Sequence, residues 1–327
     1  MIIVTGATGF IGSNIVADLN ARGRTDLLLV DDLGTQGKWK NIAKRRFVDL
    51  VDYRDLDGLL ARLKQPADAV FHMGANSSTT STDGDEILRV NLHATMAWWK
   101  WCTDTGTPFI YASSAATYGD GEQGFEDNQS PEALDQLAPL NLYGWSKHQF
   151  DKWAVERASE GKAPPQWAGL KFFNVYGPNE YHKGDMRSLV AKNTALIARG
   201  ETIRLFKSHK DGYADGGQLR DFVYVKDCCA VMMWLLDNRQ VSGVFNLGTG
   251  QARSFVDLMQ AIGTALGKPV NIEYVDMPES IRPNYQYFTE ARMGKLKGAG
   301  HSIPMTSLEN GVRDYVQRHL VQADAYR

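Results

Sequence analysis

Residues 2–12 read IIVTGATGFIG: a short apolar run leads directly into Gly6, Gly9 and Gly12, and a helical pattern follows. At such a turn, backbone N–H groups and the dipole of the following helix face any anion that binds. A pyrophosphate fits, so the stretch predicts a dinucleotide site. Three glycines could form an ordinary turn, but the strand before them and the helix after them favour binding. The spacing is G-x-x-G-x-x-G, not the G-x-G-x-x-G of ordinary dehydrogenases.

The chain beyond this turn keeps the same strand-then-helix order. Short runs rich in β-branched residues alternate with helical patterns up to about residue 180. Such alternation is typical of a parallel sheet wrapped by helices. We therefore expect an α/β protein with a doubly wound parallel Rossmann sheet. The predicted strands are 2–4, 27–30, 69–72, 109–112 and 170–173, and the predicted helices lie near 10–22, 53–64, 84–105 and 145–160.

The pattern loosens afterwards, which predicts a second, smaller unit. We expect a dinucleotide-binding Rossmann domain over 1–175, with a later return strand near 221–247, and a mainly substrate-binding α/β lobe over 176–327. The polar, glycine-rich segment 207–217 predicts a mobile surface loop. Segments 186–199 and 227–236 look helical, and 221–225 and 244–247 look extended.

The composition disfavours several classes of protein. With 327 residues and a formal net charge of -2, the chain presents no large basic field, so small molecules are better partners than nucleic acid. The first residues show no basic region, long apolar run or cleavage site, which favours a cytoplasmic location without a membrane partner. Cys102, Cys228 and Cys229 show neither a disulfide framework nor zinc spacing, so we expect no metal.

The residues after the second predicted strand bear on the choice of dinucleotide. Asp31 ends that strand, where a carboxylate can accept hydrogen bonds from the adenosine ribose. Asp31 and the adjacent Asp32 favour NAD, because carboxylates repel a 2′-phosphate. Lys38, in the following loop, favours NADP, although a solvated surface lysine is equally compatible with the sequence.

A second group of residues has the chemistry of a proton-transfer site. Tyr143 and Lys147 lie four residues apart at the start of a predicted helix, so both project from one face. An ammonium group beside a phenol stabilises the phenolate and lowers the pKa of the phenol. Ser113 and Ser114 end the predicted strand FIYASS, at the sheet edge where ligands bind in open α/β folds. Ser114 can therefore hold a reacting oxygen, although a serine there could also cap a helix.

These features occur in the order and at the separations of a known superfamily. The chain resembles the extended short-chain dehydrogenases/reductases of the NAD-dependent epimerase/dehydratase type, and among them the epimerases of an ADP-linked heptose. The resemblance spans nearly the whole chain; ASSAATYG and FFNVYGPNEYHKG are its more specific stretches. The matching blocks are VTGATGFIGSNIV, FHMGANSSTT, YASSAATYG, LNLYGWSK, FFNVYGPNEYHKGDM, RDFVYVKD, GVFNLGTG and NYQYFTEA.

The resemblance implies an isomerase that inverts C6 of a nucleotide-bound heptose by transient oxidation and re-reduction with tightly held NADP, or less favourably NAD. It assigns proton transfer to Tyr143 and Lys183, one for each face of the substrate. The alternative to a proton-transfer role for Lys183 is a phosphate-binding or solvated lysine. The implied cofactor contacts, with the glycines of the turn, are Gly6, Gly9, Phe10, Ile11, Gly12, Asp31, Asp32, Lys38, Met73, Gly74, Ala75, Ser77, Asn91, Lys147 and Val175. The implied substrate contacts are Ser78, Asn174, Asp185, Lys192, Phe206, Arg220 and Tyr285.

Several positions depart from the family pattern. Asp185 and Lys192 replace the usual serine and histidine, Leu56 aligns with a second cofactor-side lysine, and the loop between Phe206 and Arg220 is longer than expected. These changes touch the sugar and the ribose phosphate rather than the redox centre. They therefore bear on substrate identity and NADP preference and not on the mechanism class.

Other functions on the same fold remain open to different degrees. A 4,6-dehydratase is disfavoured, because Ala115 and Ala116 follow Ser114 where that class carries an acid pair. A different nucleotide-sugar epimerase, such as a 4-epimerase, and a net reductase stay open. A redox-inactive binding protein conflicts with the intact set of Ser114, Tyr143 and Lys147.

Five tryptophans lie on two predicted helices that often meet a neighbouring subunit in this superfamily, which favours a homo-oligomer. Core packing explains some of them equally well. They are Trp98, Trp99, Trp101, Trp145 and Trp153.

Overall fold

The computed structural model describes residues 1–279, 281–282 and 285–327. The strands are β1 (Ile2–Thr5), β2 (Leu27–Val30), β3 (Asp49–Val51), β4 (Ala69–His72), β5 (Phe109–Ser114), β6 (Trp167–Phe172), β7 (Asn174–Tyr176), β8 (Ile203–Phe206), β9 (Leu219–Tyr224), β10 (Gly243–Leu247), β11 (Ala252–Ser254) and β12 (Ile272–Val275). The helices are α1 (Phe10–Ala21), α2 (Leu56–Arg62), α3 (Gly84–Ile87), α4 (Ala94–Thr105), α5 (Pro131–Asp135), α6 (Leu142–Ser159), α7 (Leu189–Ala198), α8 (Val225–Asp237), α9 (Phe255–Leu266), α10 (Gly294–Gly298) and α11 (Leu308–Tyr315).

The central sheet is the predicted doubly wound parallel sheet, which confirms the fold class. Its strand order is β10-β6-β5-β4-β1-β2-β3, and every neighbouring pair in it is parallel. β1, β2 and β4 are completely buried, since helices cover both faces of such a sheet. Strand order reverses between β1 and β4, so the carboxyl ends of these two strands open a crevice for a ligand.

Two parts of this sheet differ from the sequence prediction. The sequence pattern does not indicate β3, because this three-residue edge strand is partly exposed and carries no apolar run. β6 begins at Trp167 rather than at residue 170. Its Lys171 is 1% exposed, and a charged residue at a fully buried strand position weakens the apolar pattern.

The single helix predicted over 84–105 is divided in the structure. α3 passes into a π-helical turn, Leu88–His93, before α4 begins. Asn91 lies in this turn and is completely buried. A π-helical turn inserts an extra residue into a helix and is frequent near functional sites.

The C-terminal elements form two further sheets. β9 pairs with β7 in parallel and with β11 in antiparallel fashion, while β12 pairs with β8. Of the two extended segments predicted between 221 and 247, only β10 returns to the central sheet, beside β6. The predicted loop 207–217 connects β8 to β9, and backbone hydrogen bonds to Asp215 (2.8 Å) and Tyr287 (3.0 Å) hold part of it.

Apolar side chains pack in two layers, one on each face of the central sheet. The layer beneath α4 and α6 contains Trp98, Trp99 and Trp101, which are 2%, 1% and 8% exposed. Trp99 alone contacts Phe109, Phe150, Trp153 and Trp167 edge-on. Core packing therefore accounts for these three tryptophans. No helix within the described residues is long and apolar enough to span a bilayer.

Candidate active site

The glycine turn after β1 is closed by direct contact between backbone segments. Gly6 has φ +62°, and a Cβ on it would lie 2.7 Å from the backbone of Met73 and Gly74. A Cβ on Gly12 would lie 2.1 Å from the carbonyl oxygen of Gly6. Side chains are thus excluded at positions 6 and 12, and the free N–H groups of the first turn of α1 stay open to a ligand. This geometry fits a dinucleotide pyrophosphate.

The acidic residues after β2 are already engaged with their neighbours. Asp31 accepts hydrogen bonds from the Thr8 amide (2.8 Å) and hydroxyl (2.7 Å), and from the Asp32 amide (2.8 Å). The Lys38 Nζ lies 2.9 Å from Asp31 and 2.5 Å from Asp32. Burial lowers the pKa of Lys38, but the two carboxylates raise it further, so the ammonium remains charged. Lys38 is therefore not a free surface lysine, and Thr8 is a partner of Asp31 that the sequence did not indicate.

Ser114, Tyr143 and Lys147 lie together on a cleft of about 800 Å³ that also receives the glycine turn. Asn141 caps α6 by accepting a hydrogen bond from the Gly144 amide at 2.8 Å. A Cβ on Gly144 would lie 2.7 Å from the Ala116 carbonyl oxygen, so this glycine lets α6 approach the end of β5. The helix start therefore brings Tyr143 to Ser114.

Burial and charge act in opposite directions on these groups. Burial raises the pKa of Tyr143, whereas the neighbouring Ser114 hydroxyl lowers it. Burial lowers the pKa of Lys147 to about 8, and the Asp151 carboxylate opposes this shift. Nothing in the described ranges forms a hydrogen bond with the Lys147 Nζ, which lines the cleft. An ammonium group of this kind is available to a hydroxyl-bearing ligand.

Lys183 reaches the same cleft from a separate segment, the 3₁₀ turn Tyr181–Met186. Gly184 has φ +52°, which L-residues rarely adopt, and this glycine turns the chain directly after the lysine. The Lys183 Nζ lies 5.5 Å from the centre of the Phe10 ring. Burial lowers the pKa of Lys183, and nearby Glu180 opposes the shift.

Glu180 holds the segment that presents Lys183. Its buried carboxylate accepts hydrogen bonds from the Gly177 amide (3.3 Å), the Ser188 hydroxyl (2.6 Å) and the Ser188 amide. Asn179, with φ 74°, adds a hydrogen bond to Ser13 of α1 at 3.0 Å. The loop is therefore fixed at both ends and against the helix that follows the glycine turn.

Most of the predicted site residues meet in one cleft. Asn91 stands behind it and binds the Asn76 amide (2.8 Å) and carbonyl (3.0 Å), so it orients the lining rather than facing the cleft. The predicted residues that line the cleft are Gly6, Gly9, Phe10, Ile11, Gly12, Asp31, Asp32, Lys38, Met73, Gly74, Ala75, Ser77, Ser78, Ser114, Tyr143, Lys147, Val175 and Lys183.

The remaining predicted substrate residues do not line this cleft. Phe206, Arg220 and Tyr285 form a separate cluster, in which the Arg220 guanidinium lies 5.3 Å from the Tyr285 ring centre. Asn174 and Asp185 are exposed, and Lys192 is half-buried on α7.

Sequence reasoning missed two features of the cleft. His182 lines it and lies 3.2 Å from the Asn41 amide nitrogen; burial lowers the pKa of His182 to about 4, so it is neutral at pH 7. Its place beside Lys183 in YHKG was an available signal. The second is a buried ion pair between Asp151 and Lys171, 2.9 Å apart, beneath Tyr143 and Lys147. The spacing of Asp151, four residues after Lys147, places its carboxylate on the same helix face, but nothing in the sequence indicates Lys171 as its partner.

Comparisons with known proteins agree with this geometry. The profile of the NAD dependent epimerase/dehydratase family matches residues 2–248. ADP-L-glycero-D-manno-heptose-6-epimerase of Nitratidesulfovibrio vulgaris is 52% identical over 329 residues, covering 100% of both chains. The solved Helicobacter pylori enzyme of that name has a TM-score of 0.77 and 27% identity, covering 97% of this chain and 95% of that one. The Thermus thermophilus UDP-glucose 4-epimerase, in complex with NAD, has a TM-score of 0.74 and 28% identity, covering 97% of both chains. The resemblance drawn from the motifs is confirmed.

Proposed function

The chain belongs to the NAD-dependent epimerase/dehydratase family, and on that premise we propose that it interconverts ADP-D-glycero-D-manno-heptose and ADP-L-glycero-D-manno-heptose at C6. Full-length identity of 52% to an epimerase named for this substrate supports the proposal. The observation that carries it is the meeting of Ser114, Tyr143, Lys147 and Lys183 on one cleft with the glycine turn. The cofactor of such an enzyme is a nicotinamide dinucleotide.

The side chains of the cleft supply the proton chemistry of this reaction. A nicotinamide dinucleotide bound at the glycine turn would supply the hydride chemistry at the sugar carbon. Ser114 holds the reacting oxygen, and Tyr143 accepts and returns the hydroxyl proton. Lys147 stabilises the Tyr143 phenolate, which matters because burial disfavours that charge. Inversion requires proton exchange on two faces, and Lys183 serves the second.

We propose NADP as the cofactor, with Lys38 pairing the 2′-phosphate. Asp31 already accepts hydrogen bonds from Thr8 and Asp32, so it supports the turn more than it reads the ribose. Lys38 must leave Asp32 to reach a phosphate, which opposes NADP. The Asp32 carboxylate raises the pKa of Arg54, so the two side chains are close. The Arg54 cation can therefore help to offset the negative charge of Asp32.

The cluster around Arg220 is proposed as the binding site for the diphosphate. Arg220 is 8% exposed, and it donates to the Leu219 carbonyl at 2.9 Å and to the Gln286 carbonyl. These bonds fix the planar guanidinium between Phe255 and Tyr285. A fixed, delocalised cation of this kind suits phosphate oxygens, with Phe206 beside it. Ser78, Asn174, Asp185 and Lys192 are proposed sugar-side contacts.

The deciding experiment supplies the purified protein with each ADP-heptose epimer and follows conversion by chromatography. We expect interconversion in both directions without net consumption of free cofactor. A matched panel containing UDP-glucose tests the 4-epimerase alternative. Turnover of UDP-glucose but not of ADP-heptose would replace the proposed substrate, and stoichiometric loss of added NADPH would indicate a reductase.

The cofactor proposal has its own readout. The dinucleotide extracted from the purified protein should be NADP, and Lys38→Ala should weaken NADP binding more than NAD binding. Finding NAD alone, with unchanged NADP affinity in Lys38→Ala, would contradict it.

A homo-oligomer and a cytoplasmic location stay predictions. Trp98, Trp99 and Trp101 no longer support self-association, whereas Trp145 is 38% exposed and remains available for it. Light scattering of the purified protein measures the assembly directly.

A further inference from the structure

A buried ion pair lies directly beneath the proposed proton-transfer residues. Asp151 and Lys171 are 0% and 1% exposed, with 2.9 Å between the Asp151 Oδ2 and the Lys171 Nζ. Asp151 follows Tyr143 and Lys147 on α6 at successive four-residue steps, so the three side chains share one stripe of the helix. The function proposed above assigns no role to either member of this pair.

The contacts of Asp151 reach the part of strand β5 that leads to Ser114. Asp151 accepts hydrogen bonds from the Ser113 hydroxyl (2.7 Å) and the Tyr111 hydroxyl (3.0 Å). Lys171 continues the chain by donating to the Thr117 hydroxyl at 2.6 Å. The Thr117 hydroxyl in turn donates to the Ser114 carbonyl at 2.8 Å. One carboxylate thus connects the helix of Tyr143 to the residue before Ser114 and, through Lys171, to Ser114 itself.

Attachment of α6 to the central sheet does not by itself explain a buried ion pair at this position. Taking two charges out of water is costly, and well-packed apolar residues of similar volume hold a helix to a sheet equally well or better. Directed hydrogen bonds, by contrast, set distance and orientation, and a buried charge acts strongly on its neighbours.

The charged and titratable groups around Lys147 and Asp151 determine how the Asp151 carboxylate affects the pKa of its neighbours on α6. The titratable neighbours of Lys147 are Tyr143 and Asp151 on α6 and His72 on β4. Burial lowers the pKa of His72 to about 3, so His72 is uncharged at neutral pH. Around Asp151 stand Lys171, Tyr111 and His148, and Tyr118 lies beneath the Lys171 Nζ at 4.9 Å. Burial lowers the pKa of Lys147, and the negative charge of Asp151 raises it. Burial raises the pKa of Tyr143, and the charge of Asp151 raises it further.

We propose that Asp151, balanced by Lys171, is a positioning residue that holds Tyr143 and Lys147 beside Ser114 and keeps Lys147 in its charged form. The proposal rests on the roles given to those three residues under the proposed function. Its distinguishing consequence is that removal of each member of the pair should act on Lys147 in opposite directions.

The experiment measures the protonation of Lys147 without substrate. The full-length protein is labelled with trace acetic anhydride at a series of pH values, and the labelled Lys147 peptide is quantified by mass spectrometry. Asp151→Asn removes a negative charge and should lower the titration midpoint of Lys147 by about one pH unit. Lys171→Met leaves Asp151 unbalanced and should raise the midpoint. The double variant should lie between the two.

Turnover provides the second readout. Asp151→Asn should lower kcat about tenfold or more while KM changes less than about twofold, because alignment of the reacting groups is lost rather than substrate binding. Asp151→Glu keeps the negative charge and should retain the wild-type midpoint of Lys147. If Lys171→Met does not fold, Asp151→Glu takes its place beside Asp151→Asn. Asp135→Asn is the matched control: it removes a 63% exposed carboxylate paired with Lys152, the residue after Asp151, and should leave the midpoint unchanged.

Midpoints that stay at the wild-type value in Asp151→Asn, or that move the same way in Asp151→Asn and Lys171→Met, would overturn the proposal. The labelling readout needs no sugar nucleotide. Inactivity of the wild-type protein toward ADP-heptose would therefore refute the proposed substrate and leave the labelling test of Asp151 unaffected.

Discussion

At the scale of single residues, the hydroxyl of Tyr143 bears most of the proposed chemistry. Tyr143→Phe removes only that hydroxyl and keeps the ring that packs at the start of α6. We expect unchanged folding and cofactor binding, with turnover lower by about 10²–10⁴-fold, because positioned proton transfer contributes about that much. Single-turnover and steady-state kinetics with ADP-heptose measure the loss.

Tyr53→Phe is the control for this variant, since Tyr53 also lines the cleft and its hydroxyl has no proposed role. It should behave as wild type. Near-normal turnover in Tyr143→Phe would remove Tyr143 from the mechanism.

At the scale of elements, the turn Tyr181–Met186 decides where Lys183 lies. Gly184→Ala places a side chain at φ +52°, ψ -123°, a conformation that costs about 1–3 kcal/mol for an L-residue. The turn should relax and displace Lys183, which we expect to lower turnover by about tenfold to 10²-fold. The fall in kcat/KM should be the same for both epimers, since a variant cannot change their equilibrium, but the oxidation half-reaction measured in a single turnover should slow more for the epimer whose face Lys183 serves.

Gly212→Ala separates this effect from general backbone strain. Gly212 has a positive φ of 84°, and among the described residues an added Cβ would have no neighbour within 4 Å; it lies in the loop between β8 and β9 and does not line the cleft. Equal turnover of the Gly184→Ala and Gly212→Ala variants would return Lys183 to the role of a solvated or phosphate-side lysine.

At the scale of the whole molecule, buried His72 links stability to pH. His72 bridges the Thr5 and Thr95 hydroxyls at 2.8 and 3.0 Å, and burial lowers its pKa to about 3. Unfolding restores a pKa near 6.5, so between these values the unfolded chain binds more protons and stability falls as the pH falls. His72 should therefore remove about 2 kcal/mol of unfolding free energy between pH 7 and pH 5.

Urea unfolding at the two pH values measures this effect. His72→Gln, which keeps polar atoms without titrating, should lose less stability on acidification than the wild type by that amount. His93→Gln is the control, since His93 is exposed to solvent in the folded chain. Parallel losses in the wild type and His72→Gln would assign the acid sensitivity to other groups.

The sequence by itself determined the parts of this protein that depend on local pattern. Gly6, Gly9 and Gly12 mark a turn in which a side chain at position 6 or 12 would collide with backbone atoms, and the β-branched runs of the inner strands indicate a buried parallel sheet because both faces are apolar. Ser114, Tyr143 and Lys147 could be found in advance, since the end of a strand and the start of a helix are visible in sequence. Resemblance added Lys183, which no local pattern distinguishes from a surface lysine.

Only the tertiary structure decided which distant groups meet. It paired Lys38 with Asp31 and Asp32, sent β9 and β10 to different sheets, and kept Arg220 apart from the cleft of the glycine turn. It also buried Asp151 against Lys171 under the proposed catalytic helix. In sequence, a buried charge and a solvated one are the same letter, and the difference arises only when packing removes water and brings a partner from another strand.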